Sequence, residues 1–437
     1  MNWTTSRFQS RSRTAFDHPP REARETWIQQ TAVVEQQQPL RGSNAPPGLD
    51  PGDQKVKWKT GNREFLTGEA DRICGRFHSQ FPVRYFPFLS AQAMDADMKA
   101  LVLARYGGPR EAFELRELPT PEPAQGQVRI AVEAFGLNYA DISARQGTYQ
   151  DAPPIPCVIG YEVVGRIDAV GAGVSGLSSG QRVAALTRFG GYATSAVTDA
   201  RAAVVIPEDM DLGVAAALPT QGCTAYYCAE EMVRLHPGDH VLIQAAAGGV
   251  GTLLVQLCKR RGCVVYGTAG SDRKLDYLRE LGVDHPINYQ REDFAEAVRR
   301  IRGGAGLDVV FDSLGGSAVR KGLALLAAGG RIVCFGAAER EAGALQIVKD
   351  VRFALSFGFI HPIPLLMKSK AIIGVNMLHV SDERPEALKR AIDGIAELAL
   401  NGEIKPTIGG RFKAEQIAEA HELLGGRGSI GKVVVSW

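Results

Sequence analysis

The sequence predicts an α/β protein in which a doubly wound parallel sheet is joined to a second, strand-rich domain. Three observations carry this prediction. From about Thr224 onward, strand-length and helix-length runs alternate, the pattern of parallel βα units. A glycine-rich turn follows the first strand of that series and opens its first helix. Upstream, from Met98 to about Pro219, short strand-length runs are separated by Gly and Pro, with no long amphipathic helix among them.

Residues 1–97 read differently from the rest. They include QQQPLRGSNAPPGLDPGDQ and show no sustained period of two or of 3.6, so they predict a disordered or non-native N-terminal extension. Three readings fit this segment: a disordered tail, translated sequence upstream of a natural start at Met98, or an organelle-targeting peptide. The last is suggested by an opening rich in Arg and Ser, against which Asp17, Glu22 and Glu25 soon follow. Residues 98–222 form the first part of the strand-rich domain, with VRIAVEAFG, GYEVVGRIDAVG, QRVAALT and GYATSAVT as its strands. Residues 223–378 carry the alternating units, from HVLIQA through GRIVCFGAA, interrupted by an insertion at 340–370. Residues 379–437 hold a long amphipathic helix, PEALKRAIDGIAELALNG, and a last strand in IGKVVVSW, and return to the strand-rich domain.

Composition narrows the function class. The 437 residues are 45% hydrophobic and carry a net charge of +2, which points to no nucleic-acid partner. No run of about eighteen apolar residues is present, so no transmembrane span is expected. The seven cysteines are odd in number and lack C-x-x-C spacing. They read as reduced, mostly buried thiols, which suits a cytoplasmic protein.

The turn itself is Ala246-Ala247-Gly248-Gly249-Val250-Gly251, a G-x-G-x-x-G pattern with Ala246 in the first glycine's place. Gly248 lets the backbone approach a pyrophosphate, Gly251 lets helix and strand pack closely, and the helix N-terminus offers unpaired N–H groups to the phosphates. Its place between a strand and a helix makes it a dinucleotide site rather than a chance match. The next strand ends Tyr266-Gly267-Thr268-Ala269-Gly270-Ser271, with no acid at its tip to hold a ribose 2′-hydroxyl. Ser271 and the following Arg273 and Lys274 suit a 2′-phosphate, so NADPH is the expected cofactor. Asp272 is the dissenting residue, expected to point outward as a helix-start acid. None of the eight histidines pairs with a cysteine at ligand spacing, so no metal is expected.

Beyond the first 97 residues, the chain resembles the zinc-independent quinone oxidoreductases of the medium-chain dehydrogenase/reductase superfamily. The resemblance rests on Gly136-Leu137-Asn138-Tyr139-Ala140-Asp141, Gly160-Tyr161-Glu162-Val163-Val164-Gly165, the glycine turn, Thr224-Ala225-Tyr226, Asp312-Ser313-Leu314-Gly315-Gly316 and Gly431-Lys432-Val433. In zinc-dependent relatives a cysteine stands at the position of Asn138 and a histidine at that of Tyr161. Segments such as RFGGYA and HPINYQREDF look most like the branch of synaptic-vesicle membrane protein homologues. Gln181 departs from the family's usual Asp.

The resemblance implies a Rossmann-type NADPH-binding domain, a GroES-like catalytic domain and a homodimer. It places Lys274 and Tyr289 at the 2′-phosphate, Gly248, Gly249 and Val250 on the pyrophosphate, Thr224 by the nicotinamide, and Gly336 beside its ribose. Asn138 and Tyr149 would line the substrate cleft, with Tyr149 the one hydroxyl nominated as proton donor. Tyr139, Tyr161 and Glu162 read as turn and packing residues. The implied activity is hydride transfer to a quinone or similar conjugated carbonyl. The alternatives are an NADPH-dependent enoyl or alkenal reductase on the same fold, and a cofactor-binding scaffold without significant turnover, suggested by the apolar, proline-broken RFALSFGFIHPIPLLMK. Fold alone does not choose among these.

Overall fold

The computed structural model describes residues 98–338, 340 and 346–437. The expectation of a disordered extension over 1–97 lies outside the described residues. The chain enters through β1 (Met98–Leu103), the one-turn helix α1 (Pro109–Ala112) and β2 (Phe113–Leu118). Then come β3 (Gln127–Leu137), α2 (Tyr139–Arg145), β4 (Cys157–Val158), β5 (Glu162–Val170), β6 (Arg182–Leu186), β7 (Ser195–Asp199) and β8 (Ala203–Val205). β2, β1 and β4 make a small antiparallel sheet. β3 is the spine of a larger one, paired antiparallel to both β5 and β7. Its Val128, Ile130, Phe135 and Leu137 are fully buried against Val163, Ile167 and Val183. The Gly-rich turn before β6 closes even though Gln181 replaces the family's Asp, because the Gln181 side-chain carbonyl accepts the Ser178 N–H at 2.8 Å.

A helical connection crosses to the second sheet. Asp211 caps α3 (Leu212–Ala217) by accepting the Gly213 and Val214 N–H groups. The path then widens into a π turn at Leu218–Gly222, tightens in α4 (Cys223–Tyr226) and widens again at Tyr227–Glu231. Such wide turns often present side chains at functional sites, and the first of these carries Thr220 and Gln221.

The alternating units follow as β9 (His240–Ile243), α5 (Gly249–Arg260), β10 (Val264–Ala269), α6 (Asp272–Glu280), β11 (His285–Asn288), α7 (Phe294–Arg302), β12 (Leu307–Asp312), α8 (Gly316–Leu325) and β13 (Leu326–Cys334). β13 begins four residues earlier than the sequence pattern suggests. A bulge between Leu307 and Val309 lets Leu326 pair before Gly329 turns the strand back into register. The insertion forms two helices, α9 (Gln346–Ser356) and α10 (Pro362–Met367), before β14 (Ala371–Gly374). Among the described residues these strands make one sheet in the order β11-β10-β9-β12-β13-β14, parallel throughout. That is a doubly wound order, with its switch point between β9 and β12. Its core packs Val241, Ile243, Val265, Val309, Phe311 and Val333 against Leu253, Leu254 and Leu257 of α5.

The chain leaves through α11 (Met377–Glu383), α12 (Pro385–Leu400), β15 (Ile408–Lys413), α13 (Ile417–Gly425) and β16 (Lys432–Ser436). β16 inserts between β15 and β3 and completes the strand-rich sheet. Among the described residues, no helix is long and apolar enough to cross a membrane. Cys157, Cys223, Cys228, Cys258 and Cys263 are buried free thiols, and Cys334 is a half-buried one.

Candidate functional site

A cleft of about 1190 Å³ runs along the carboxyl ends of the parallel strands and is closed on its far side by residues of the strand-rich sheet. This is where open α/β sheets take their ligands. Its middle is the glycine turn. Ala245 sits in the left-handed region at φ 49, held there by its N–H to the Thr268 hydroxyl at 3.0 Å. A side chain on Gly251 would lie 2.4 Å from the Ala245 carbonyl oxygen, and one on Gly249 would lie 2.0 Å from Gln221 Oε1. Both glycines therefore keep the helix start open. Gly248, Gly249, Val250 and Gly251 line the cleft. Ala246 does not: it is fully buried beneath the turn, its N–H bonded to the Thr268 carbonyl, so it supports the turn by packing.

Two buried carboxamides meet the cleft beside this turn. Gln221 Oε1 and Gln244 Nε2 lack hydrogen-bond partners within the protein, although both residues line the cleft. Buried polar atoms of this kind call for a partner, and a bound dinucleotide at the open helix end offers one. Thr224 also lines the cleft, its hydroxyl turned back to the Thr220 carbonyl at 2.7 Å. Gly336 lies across from it, where a side chain would collide with the Ser313 carbonyl at 2.6 Å.

One end of the cleft is cationic. Lys274 Nζ donates to the Arg427 carbonyl at 2.7 Å, and burial, with the nearby Arg273 and Arg427 charges, lowers its pKa. Tyr289 lies alongside and leaves no room for a side chain on Gly270. Arg427 adds a guanidinium that sequence reasoning missed, brought in from the loop after α13 beside Tyr139 and Tyr289. Ser271 stands at the N-cap of α6 without a side-chain capping hydrogen bond, is exposed and does not line the cleft. Asp272 points outward to Arg291 at 2.6 Å, so no acid occupies the end of β10.

The other end is aromatic and apolar. Tyr149 and Tyr161 meet edge-on with ring centroids 6.0 Å apart, among Leu186, Val375, Met377 and Leu378. Burial, then the Asp151 charge, pushes the Tyr149 phenol up to about 12, which keeps it protonated and able to donate. Tyr161 is more deeply buried, its hydroxyl has no hydrogen-bond partner, and burial raises its pKa further. The packing role expected for Tyr161 is only half of its placement, because it also lines the cleft. Arg340 holds the adjoining wall, bonded to both Asp350 oxygens and to the Thr148 carbonyl.

Asn138 lines the same end, with a side chain that is already occupied. Its Nδ2 donates to Glu162 Oε1 at 2.8 Å and its Oδ1 accepts Lys432 Nζ at 3.1 Å. Glu162 and Lys432 form a fully buried ion pair beneath it. The signal for that pair was a lysine in the otherwise apolar IGKVVVSW and a glutamate in GYEVVG. Among the described residues, no three His, Cys, Asp or Glu side chains cluster as metal ligands.

Residues 124–229 match the alcohol dehydrogenase GroES-like domain, and residues 249–393 match the family described as zinc-binding dehydrogenase. The synaptic vesicle membrane protein VAT-1 homolog of Danio rerio is 35% identical over 340 residues, which span 77% of this chain and 70% of the relative. A 2-haloacrylate reductase of Burkholderia sp is 33% identical over 77% of this chain and 98% of its own length. The crystal structure of Escherichia coli quinone oxidoreductase complexed with NADPH superposes with a TM-score of 0.68 at 27% identity, covering 78% of this chain and all of that one. With Asn138 and Tyr161 where zinc-dependent relatives carry Cys and His, the chain belongs to the zinc-independent quinone oxidoreductase family of the medium-chain dehydrogenase/reductase superfamily, near its branch of synaptic vesicle membrane protein homologues.

Proposed function

We propose that this protein is an NADPH-dependent oxidoreductase that reduces a quinone or similar conjugated carbonyl compound in the cytoplasm, as a homodimer. One observation carries the reading: a single cleft joins a cationic end, a glycine turn at a helix N-terminus and an apolar end with two phenols. When bound, NADPH supplies the hydride. Lys274, Tyr289 and Arg427 hold the 2′-phosphate by charge and hydrogen bonds. The N–H groups of Gly249 and Val250 at the helix start hold the pyrophosphate; Gly248, whose own N–H is bonded to the Ala245 carbonyl at 2.8 Å, lets the backbone approach it, with Gly251 keeping the helix close to its strand. Thr224 and Gly336 bound the nicotinamide end. The apolar wall excludes water and positions a flat acceptor, which supplies much of the rate. Asn138 contributes shape to that wall, since its polar atoms are already engaged. Tyr149 stays neutral beside the acceptor; a reduced quinone can take its protons from water, so Tyr149 serves there mainly as a wall of the cleft.

A second reading, alkene reduction in an enone, enoyl thioester or unsaturated acid, is favoured by the 33% identity to a 2-haloacrylate reductase and by Tyr149 in the cleft. A quinone's reduced oxygens take protons from water, whereas an enolate gains from a positioned donor. Steady-state NADPH oxidation against quinones, enones and enoyl thioesters tests both readings. Turnover of quinones above the others is the expected result. Absence of NADPH oxidation with every acceptor would overturn the enzyme reading and leave a cofactor-binding scaffold.

A further inference from the structure

We infer that the buried Glu162–Lys432 pair is a positioning device that sets the substrate wall of the cleft against its pyrophosphate turn; the inference rests on the oxidoreductase reading above. Both side chains are completely buried. All three ammonium protons of Lys432 have acceptors: the Leu137 carbonyl at 3.3 Å, Asn138 Oδ1 at 3.1 Å and Glu162 Oε1. The Glu162 carboxylate is equally engaged. Oε1 also accepts Asn138 Nδ2, and Oε2 accepts the Thr220 N–H at 3.1 Å. Room for the pair is made by Gly136, where any side chain would lie 2.2 Å from Lys432 Cε and 2.3 Å from Glu162 Oε1.

Stability alone does not account for such a pair. Desolvating two charges costs several kcal/mol each, and apolar residues of similar volume commonly serve as well or better. What the pair adds is connection. Through Asn138 it fixes the corner between β3 and α2, and through the Thr220 N–H it fixes the π turn that carries Gln221. Both stretches line the cleft. The residue before Lys432 reaches the other side: the Gly431 N–H donates to the Ala247 carbonyl at 3.0 Å, and Gly431 bridges to Gly248 in the pyrophosphate turn. Gly431 adopts φ 77, and a side chain there would lie 2.1 Å from the Thr407 carbonyl oxygen. Two consecutive residues thus touch the turn that holds the cofactor and the wall that holds the substrate. Their spacing fixes the substrate wall relative to the cofactor's anchor, and a misplacement of about 1 Å at the reacting atoms can cost about 10²-fold in rate.

The test separates positioning from simple stability. Lys432→Met and Glu162→Leu are made singly and together in the full chain. Melting temperature, NADPH affinity by titration, and kcat and KM with a quinone are then measured. Each single variant should melt early, because it strands one buried charge. The double variant should recover most of the melting temperature and lose about 10²-fold in kcat because Asn138 and the Thr220 turn are no longer held, with a clearly smaller loss of NADPH affinity, since only Gln221 among the cofactor contacts sits on that turn. Wild-type kcat in the double variant overturns the inference. So does a loss of NADPH affinity as large as the loss of kcat, since the pair would then serve the cofactor turn alone. If the double variant does not fold, Glu162→Gln, which keeps the shape of the side chain, must still lower kcat without changing NADPH affinity; unchanged kcat there overturns the inference as well. A wild-type protein that binds no NADPH overturns the functional reading, a result read before any variant is compared.

Discussion

At the residue scale the two ends of the cleft make separate predictions. Tyr149→Phe removes the positioned proton while keeping the ring against Tyr161. Quinone reduction should change little, and enone reduction should fall by about 10²–10⁴-fold in kcat/KM. A similar large loss on both substrates would show that Tyr149 shapes the cleft instead. At the opposite end, Lys274→Ala and Arg427→Ala should each weaken NADPH by about 1.5–3 kcal/mol and leave NADH unaffected, as read by calorimetric titration; equal effects on both cofactors would remove the 2′-phosphate assignment. A third residue bears on pH. His421 is fully buried, shares a hydrogen bond with the Tyr192 hydroxyl at 3.1 Å and lies against Phe113. Burial, then the Arg145 charge, pushes its pKa down to about 3. Its neutral ring supports the fold fully above the ordinary histidine pKa of about 6.5, and that support is lost as pH falls toward 3. His421→Gln, which cannot charge, should therefore shift acid unfolding to lower pH in a circular-dichroism titration; an unchanged midpoint would show that other groups govern it.

At the element scale the glycine turn is the sharpest case. Gly251→Ala places a methyl 2.4 Å from the Ala245 carbonyl oxygen and 2.7 Å from the Ala246 Cα. Backbone cannot give way as a side chain can, so α5 must move off β9. The expected loss is about 1–3 kcal/mol of stability, seen as a lower melting temperature, together with weaker NADPH binding. An unaltered melting temperature would mean that the helix is free to shift. This turn was legible in the sequence because its chemistry is local: strand, glycines and helix are contiguous. The order of the parallel strands follows from the same alternation. What could not be read were placements set by distant partners. Arg427 reaches the cationic end from beyond α13, Gln221 faces the cleft because of a π turn, and Asn138 is occupied by a lysine supplied from β16. Likewise Ala246 fits the motif on paper, but the fold turns it under the backbone.

At the scale of the whole molecule, the insertion leaves a broad apolar face. Ile347, Leu355, Phe359, Leu366 and Met367 on and between α9 and α10 are each more than 70% exposed, beside β14 at the edge of the parallel sheet. Contiguous exposed apolar residues of this kind commonly mark an interaction surface. If the proposed homodimer forms, a second copy pairing by two-fold symmetry would cover this face. Leu366→Lys with Met367→Lys should convert a dimer to a monomer in sedimentation velocity with little change in melting temperature; a wild-type monomer would reject the interface. The position of β16 has a further consequence, for how the protein is made. The lysine that completes the buried pair lies 294 residues after Asn138, and its strand fills the gap beside β3. While the chain is being synthesised, β3 leaves the ribosome long before the partner it needs. Its open edge must wait through the making of the entire nucleotide-binding half, and the strand-rich half closes only once that half has been made.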